Sequence, residues 1–347
     1  MEFNQPPILT NSKGEIRKAG FELEFGNLSL QTVAETIMHL YGGTHEIEHA
    51  YNQKVVGTRL GDFALKIDLA LLNEKEYHRL FDSLGIPIDD IRIGKRSLDT
   101  IIEKALESVA RVSIPNEMSM PPLPFPEVYQ VEALRKALHE QKAEGTKASI
   151  FYAFATHINP ELPSPDVESL LTYTRAFLLL YFWLLKECQI DFTRRLTTFI
   201  NPFPMAYYQL VLSADYQPDL SAFIRDYHLH NPDRNRPLDL YPALAFLAPE
   251  AVNQLENLGN VKPRPTFHYR LPNSLIDDPQ WSLALEWNRW YQVERLASEP
   301  ETIRELSDEF FRMQANNRIG FENEWTARME AWVQEENEKA QNSHYGT

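Results

Sequence analysis

Residues 20–25 read Gly-Phe-Glu-Leu-Glu-Phe. In an extended strand successive side chains alternate between faces, so Glu22 and Glu24 share one face while Phe21, Leu23 and Phe25 share the other. Two carboxylates side by side on a sheet repel each other. The pair therefore calls for a solvated face, a basic partner or a bound cation. Carboxylate oxygens are hard donors that suit Mg²⁺ or Mn²⁺, ions that keep waters exchangeable for phosphate oxygens.

Other polar residues punctuate stretches that also read as strands. Lys66 and Asp68 share a face on either side of Ile67, as a neutralising pair or as contacts to a charged substrate. Glu117 sits in Pro-Asn-Glu-Met-Ser-Met-Pro-Pro-Leu and can add a third metal or amine ligand. His157, in Phe-Ala-Thr-His-Ile-Asn-Pro, is either a hydrogen-bonded core histidine or a contact to phosphate or a metal-bound oxygen. His268 and Arg270 alternate around Tyr269. An arginine there can neutralise charge on a transferred phosphoryl group or grip a carboxylate through two parallel hydrogen bonds. His268 can join a metal site or orient Arg270. His39, His45 and His49 lack a compact helical ligand spacing and read as surface or loop residues.

These residues need elements to hold them. Alternation and turn residues predict a strand at 18–26, a helix at Ser29–Tyr41 ending at Gly42-Gly43, and strands at 45–51, 54–58 and 62–68. Helices are expected at 74–84 and 98–110, a strand at 112–120 that stops at Pro121-Pro122, a helix at 127–142 and a strand at 149–159. Apolar helices dominate from 165 to about 200, followed by shorter helices over 205–258, a strand at 266–271 and helices at 278–297, 300–314 and 321–339. Strands lacking a regular β-helix-β rhythm predict an α+β fold, an antiparallel sheet with packed helices. Phosphate-binding loops of the Gly-x-Gly-x-x-Gly and Gly-Lys-Ser/Thr types are absent from the sequence, as is a Gly-x-Ser-x-Gly nucleophile elbow.

Composition narrows the partners. A net charge of −15 argues against a continuous basic face for nucleic acid or anionic lipid. Cys188 is the single cysteine, so no intrachain disulfide forms and a reducing, cytoplasmic setting is expected. It lies in an apolar helical run, where a packed thiol is expected rather than a nucleophile. That run is shorter than the roughly 20 residues that cross a bilayer, so it reads as a core helix. The N-terminus lacks a basic segment followed by an apolar one, so no signal peptide is expected.

Taken in order, Gly20-Phe21-Glu22-Leu23-Glu24-Phe25, Lys66-Ile67-Asp68, Glu117-Met118-Ser119-Met120-Pro121-Pro122-Leu123, Ala155-Thr156-His157-Ile158-Asn159 and His268-Tyr269-Arg270-Leu271-Pro272-Asn273 resemble the amidoligase family. That family belongs to the glutamine synthetase and glutamate–cysteine ligase-like carboxylate–amine ligases. The resemblance implies a curved antiparallel sheet carrying ATP and a divalent ion, Mg²⁺ or Mn²⁺. It implies a catalytic domain over 18–275 with a helical insertion at about 164–260. An arm at 1–17 and a helical extension at 276–340 would complete the chain. By the same resemblance, Glu22, Glu24 and Glu117 are metal ligands, and His268 is expected to join them as an imidazole donor. Glu24, Lys66, His157 and Arg270 contact nucleotide, and Asp68, His157 and Arg270 serve catalysis. Two positions depart from the family pattern. The common His-x-His is here Ala155-Thr156-His157, and a common glutamate before the spaced arginine is here His268.

The activity so implied is ATP-dependent joining of a carboxylate to an amine, on small molecules or peptides. A carboxylate is a poor electrophile; phosphorylation by ATP activates it, and the amine then displaces phosphate while the site excludes water. Asp68 would orient the amine or accept its proton. Two other readings keep the same sheet: a partner-binding protein without turnover, and a metal-dependent phosphotransferase.

Overall fold

The computed structural model describes residues 1–67, 116–146, 154–190, 201–259, 261–317 and 319–345. Asp68, the helices expected at 74–84 and 98–110, and parts of the strands expected at 112–120 and 149–159 lie outside the described residues.

Among the described residues nine strands form one open antiparallel sheet: β1 (Lys18–Phe25), β2 (Thr44–His49), β3 (Asn52–Thr58), β4 (Gly61–Ile67), β5 (Asn116–Ser119), β6 (Leu123–Pro124), β7 (Thr156–Pro160), β8 (Leu238–Asp239) and β9 (His268–Tyr269). Their order is β2-β3-β4-β5-β1-β7-β9-β8, with β6 pairing beside the start of β1. β1 thus lies inside the sheet, between β5 and β7. Its alternation is the expected one: Phe21, Leu23 and Phe25 are fully buried on the core face, and Glu22 and Glu24 occupy the other.

Ten α-helices accompany the sheet among the described residues: α1 (Leu30–Tyr41), α2 (Val131–Glu140), α3 (Val167–Glu187), α4 (Met205–Val211), α5 (Leu220–His230), α6 (Tyr241–Leu247), α7 (Pro249–Asn253), α8 (Leu283–Ala297), α9 (Pro300–Asn316) and α10 (Phe321–Tyr345). The fold is therefore mixed α and β around an open antiparallel sheet. α3 is buried on nearly every side and packs against α8, α9 and α10, the pattern of a helix enclosed by other elements. No described helix is long and apolar enough to cross a membrane.

Aromatic residues join the sheet to these helices. Trp287 of α8 meets Phe21 and Phe125 at ring distances of 6.2 and 5.2 Å, and Trp290 meets Tyr269 at 5.4 Å. Below the start of β1, Arg17 is completely buried and pairs with Glu294 of α8 at 2.8 Å. Glu294 also accepts from the Tyr173 hydroxyl and the Trp290 indole. At the N-terminus, Asn4 exchanges hydrogen bonds with Asn288 and Trp287 of α8.

Several boundaries differ from the sequence reading for local reasons. The helix expected from 127 starts as a 3-10 helix, Phe125–Gln130, with Pro126 in its first turn. The helix expected from 278 starts at Leu283, because Ser282 caps it by accepting from the Leu285 N–H. The strand expected over 266–271 shortens to His268–Tyr269 between Pro265 and Pro272, which have no N–H to donate. Gly145 lies so close to the segment leaving β9 that a Cβ there would stand 2.5 Å from the Ser274 carbonyl oxygen.

Candidate active site

The polar face of β1 is built by register. Glu22 lies opposite His157 of β7 on one side and Ser119 of β5 on the other, and Glu24 lies opposite Glu117. Glu117 in turn faces Lys66 of β4. Next to β7, β9 supplies His268, which faces Asp239 of β8. Tyr269 points into the core, so alternation sends its neighbours His268 and Arg270 toward the Glu22 face.

Glu22 is the focus. Its Oε2 lies 3.0 Å from His157 Nδ1 and 3.8 Å from His268 Nε2. Its Oε1 accepts from Asn159 Nδ2 at 2.9 Å and from Arg264 Nη1 at 3.3 Å. The two imidazoles meet edge to face, with ring centroids 5.0 Å apart. Each imidazole also has a second carboxylate behind it. His157 Nε2 is 3.8 Å from Glu24 Oε1, and His268 Nδ1 is 3.5 Å from Asp239 Oδ2. Glu24 is fixed by the Ala155 N–H, which donates to its Oε2 at 2.7 Å, and Asp239 by Arg234 Nε at 3.0 Å.

Electrostatics follow from this packing. Burial opposes the charge on Glu22. The hydrogen bond from His157 and the positive charge around it, Arg264 included, prevail and hold its carboxyl well below the usual carboxylate range. Burial likewise opposes ionisation of Asp239, and His268, Arg234 and the Tyr241 N–H outweigh it, so its carboxyl also lies low. Burial pushes His268 down to about 4; Asp239 and Glu22 pull the other way without prevailing, and His157 adds to the fall. His268 is therefore a neutral imidazole near pH 7, and the permanent positive charges at these carboxylates are Arg264 and Arg234.

The sequence-predicted residues divide into three groups. Glu22, Glu24, His157 and His268 converge. Glu117 and Lys66 lie in the adjoining row of the same sheet, both half-buried. Arg270 is turned aside: its Nη1 donates to the Arg234 carbonyl and stands 3.4 Å from Asn235 Oδ1. It braces the loop that presents Arg234 to Asp239. Asp68 lies outside the described residues.

Sequence reasoning missed four participants. Asn159 carries a readable signal, since it lies two residues beyond His157 and shares its strand face. Asp239 stands in a strand of two residues, and Arg234 and Arg264 in proline-bounded loops; at such places periodicity carries no information.

The described residues offer a cation a suitable place. Glu22, His157 and His268 each present a donor atom, all within 4.8 Å of one another. His268 is 7% exposed, and its Nε2 has no hydrogen-bond partner among the described residues. A buried polar atom without a partner is costly, and an ion among these donors would remove that cost.

Carboxylates and imidazoles from adjacent strands thus cluster on one face of the sheet, with Arg264 and Arg234 against the carboxylates. Residues 15–292 match the family described as "Putative amidoligase enzyme", and the chain belongs to that family. No curated protein and no solved structure matches it.

Proposed function

We propose that this protein is an ATP-dependent carboxylate–amine ligase with a glutamine synthetase-like sheet. It would form an amide or isopeptide bond through an acyl phosphate on small molecules or peptides in the cytoplasm. The observation that carries the reading is the convergence of Glu22, Glu24, His157 and His268 on one sheet face, in a member of an amidoligase family.

Each residue has a task in that reaction. Glu22 and His268 would hold a divalent ion, Mg²⁺ or Mn²⁺, with Glu24 and Glu117 as further carboxylates beside it. Such an ion, when bound, neutralises charge on the phosphate oxygens of ATP. His157, between Glu22 and Glu24, would act at the bound ion or at the phosphate beside it. Arg264, about one-third exposed and already against Glu22, would grip the transferred phosphate or the substrate carboxylate. Lys66 extends the positive potential along the row through Glu117. Arg270 would act by holding the loop that carries Arg234, and Asp68 would orient the amine.

The test is direct. Protein incubated with ATP, Mg²⁺ or Mn²⁺ and mixed acids and amines should yield ADP, phosphate and a covalent amide visible by mass. Glu22→Gln should weaken ion-dependent binding of a nonhydrolysable ATP analogue by about tenfold or more while the circular dichroism stays unchanged. Absence of nucleotide binding with either ion would sink the reading. Phosphate retained in the product would make the protein a phosphotransferase.

A further inference from the structure

We propose that Glu22, His157 and His268 form a two-histidine, one-carboxylate centre that selects a borderline transition ion such as Mn²⁺, Co²⁺ or Zn²⁺ over Mg²⁺. The centre uses the same site as the ligase reading but follows from the donor geometry alone.

The two oxygens of Glu22 have separate surroundings. Asn159 and Arg264 hold Oε1, so that oxygen is already engaged by donors. Oε2 faces both imidazoles, accepting from His157 Nδ1 at 3.0 Å and standing 3.8 Å from His268 Nε2, and is the one oxygen of Glu22 turned toward both rings. Three donors thus come from three neighbouring strands, β1, β7 and β9, whose register is set by the sheet.

The backing carboxylates decide which nitrogen of each ring is available. Asp239, paired with Arg234, is an acceptor, so the His268 nitrogen facing it carries the proton. The Nε2 lone pair of His268 is then directed at Glu22 Oε2, which is also an acceptor, across 3.8 Å. Two acceptors facing each other in a buried place repel, and a cation between them turns that repulsion into two bonds. For His157 the ring proton lies on the other side: Nδ1 donates to Glu22 at 3.0 Å and Nε2 is 3.8 Å from Glu24, so an ion bound at Nδ1 would take that proton's place and leave the ring protonated at Nε2, toward Glu24. A carboxylate behind each ligating imidazole fixes its tautomer and raises its basicity, as is usual at metal centres. Glu24 and Asp239 are so placed. This differs from a set in which Glu24 would itself be a first ligand.

The donor set then fixes the class of ion. Mg²⁺ prefers an all-oxygen shell and keeps its waters, whereas first-row transition ions accept imidazole, Mn²⁺ most weakly and Co²⁺ and Zn²⁺ more tightly. Bonds of about 2.1 Å place neighbouring donors about 3–4 Å apart, so the observed spacings of 3.0 and 3.8 Å at Glu22 Oε2 need little movement. Three protein donors also leave coordination positions open for substrate oxygens or water.

The experiment uses the full chain stripped of metal with a chelator and no nucleotide. Mn²⁺, Co²⁺, Zn²⁺ and Mg²⁺ are titrated by calorimetry, and Co²⁺ is also followed by its visible ligand-field bands. One Co²⁺ or Zn²⁺ ion should bind at least about tenfold more tightly than Mg²⁺. His157→Gln and His268→Gln should each lower that affinity by about tenfold or more. Asp239→Asn should lower it by about 10–100-fold through the orientation of His268, with the cobalt bands shifted. His45→Ala, on the distant edge strand β2, should leave it unchanged. Should a histidine variant unfold, pulsed electron paramagnetic resonance on the Mn²⁺-loaded wild-type protein should still report nitrogen couplings from two imidazoles. Mg²⁺ binding as tightly as Co²⁺, or Mn²⁺ bound without imidazole nitrogen, overturns the proposal. The ligase reading fails separately: a protein that binds Co²⁺ through both histidines yet never binds nucleotide retains this centre and loses that function.

Discussion

Arg264 brings its Nη1 to 3.3 Å from Glu22 Oε1, joining positions 242 residues apart in the chain. This contact makes Arg264, from a proline-bounded loop, the arginine that touches Glu22, as Arg234 touches Asp239. Arg270 shares a strand face with His268 in the sequence, yet its Nη1 donates to the Arg234 carbonyl. The two arginines therefore have different duties. Arg264 is half-buried with one side toward solvent and can meet an incoming anion. Arg270 holds a loop, and through Arg234 and Asp239 it acts on His268.

Substitution separates these duties. A charge-assisted hydrogen bond contributes about 1.5–3 kcal/mol, so Arg264→Ala should weaken binding of a nonhydrolysable ATP analogue or of the acid substrate by about 10–100-fold. The unfolding midpoint should hardly move. Arg264→Lys keeps the charge without the fork and should recover only part of the affinity. Arg270→Ala should instead lower the midpoint of thermal unfolding, since the Arg234 carbonyl loses its donor. Calorimetry and a melting curve on each variant suffice. Equal anion affinity in wild-type and Arg264→Ala protein would remove Arg264 from the site.

Beneath the sheet, Arg17 and Glu294 form an ion pair with both side chains fully buried. Removing one partner of such a pair strands the other and costs about 3–5 kcal/mol. Arg17→Met should therefore lower the unfolding free energy by about that amount in urea. For an isolated pair, replacing both partners with apolar residues often restores stability. Here Glu294 also accepts from Tyr173 and Trp290, so Arg17→Met/Glu294→Met leaves two buried donors without an acceptor and should recover little. Full recovery in the double variant would show that those two donors find other partners.

The fold was most legible where periodicity was long. β1 and α1 lie within a residue or two of their expected limits, because each carries an unbroken apolar face of its own period. α3, with its unbroken apolar run Ala176–Leu185, is the expected core helix. β8 and β9 have two residues each and are held by pairing across the sheet, a tertiary effect that no local pattern encodes. The same divide runs through the site. Glu22, Glu24, His157 and His268 stand on strands and were readable by alternation. Arg264 and Arg234 stand on loops, and their proximity to the carboxylates comes from chain packing. Arg270 is the converse case: it follows His268 on the same strand face, but a neighbouring loop carbonyl holds its side chain.

Cys188, at the end of α3, tests the interior from another side. Burial, joined by the nearby charge of Glu286, pushes its thiol up to about 12; Arg289 and the Tyr269 hydroxyl oppose the rise. The thiolate is the reactive form, so at pH 8 the native protein should resist iodoacetamide, and the protein unfolded in urea should react readily. The same shift bears on stability. A folded value above the unfolded one means that, once the pH exceeds about 8.5, the unfolded chain loses the thiol proton first. The contribution of Cys188 is then complete below that pH and falls away as the pH rises toward 12. The unfolding free energy of wild-type protein should thus decline more steeply between pH 9 and about 11 than that of Cys188→Ala, although other groups titrate there in both. Parallel curves, or labelling of native and unfolded protein at the same rate, would place the thiol in contact with solvent and contradict the burial of α3 against the sheet.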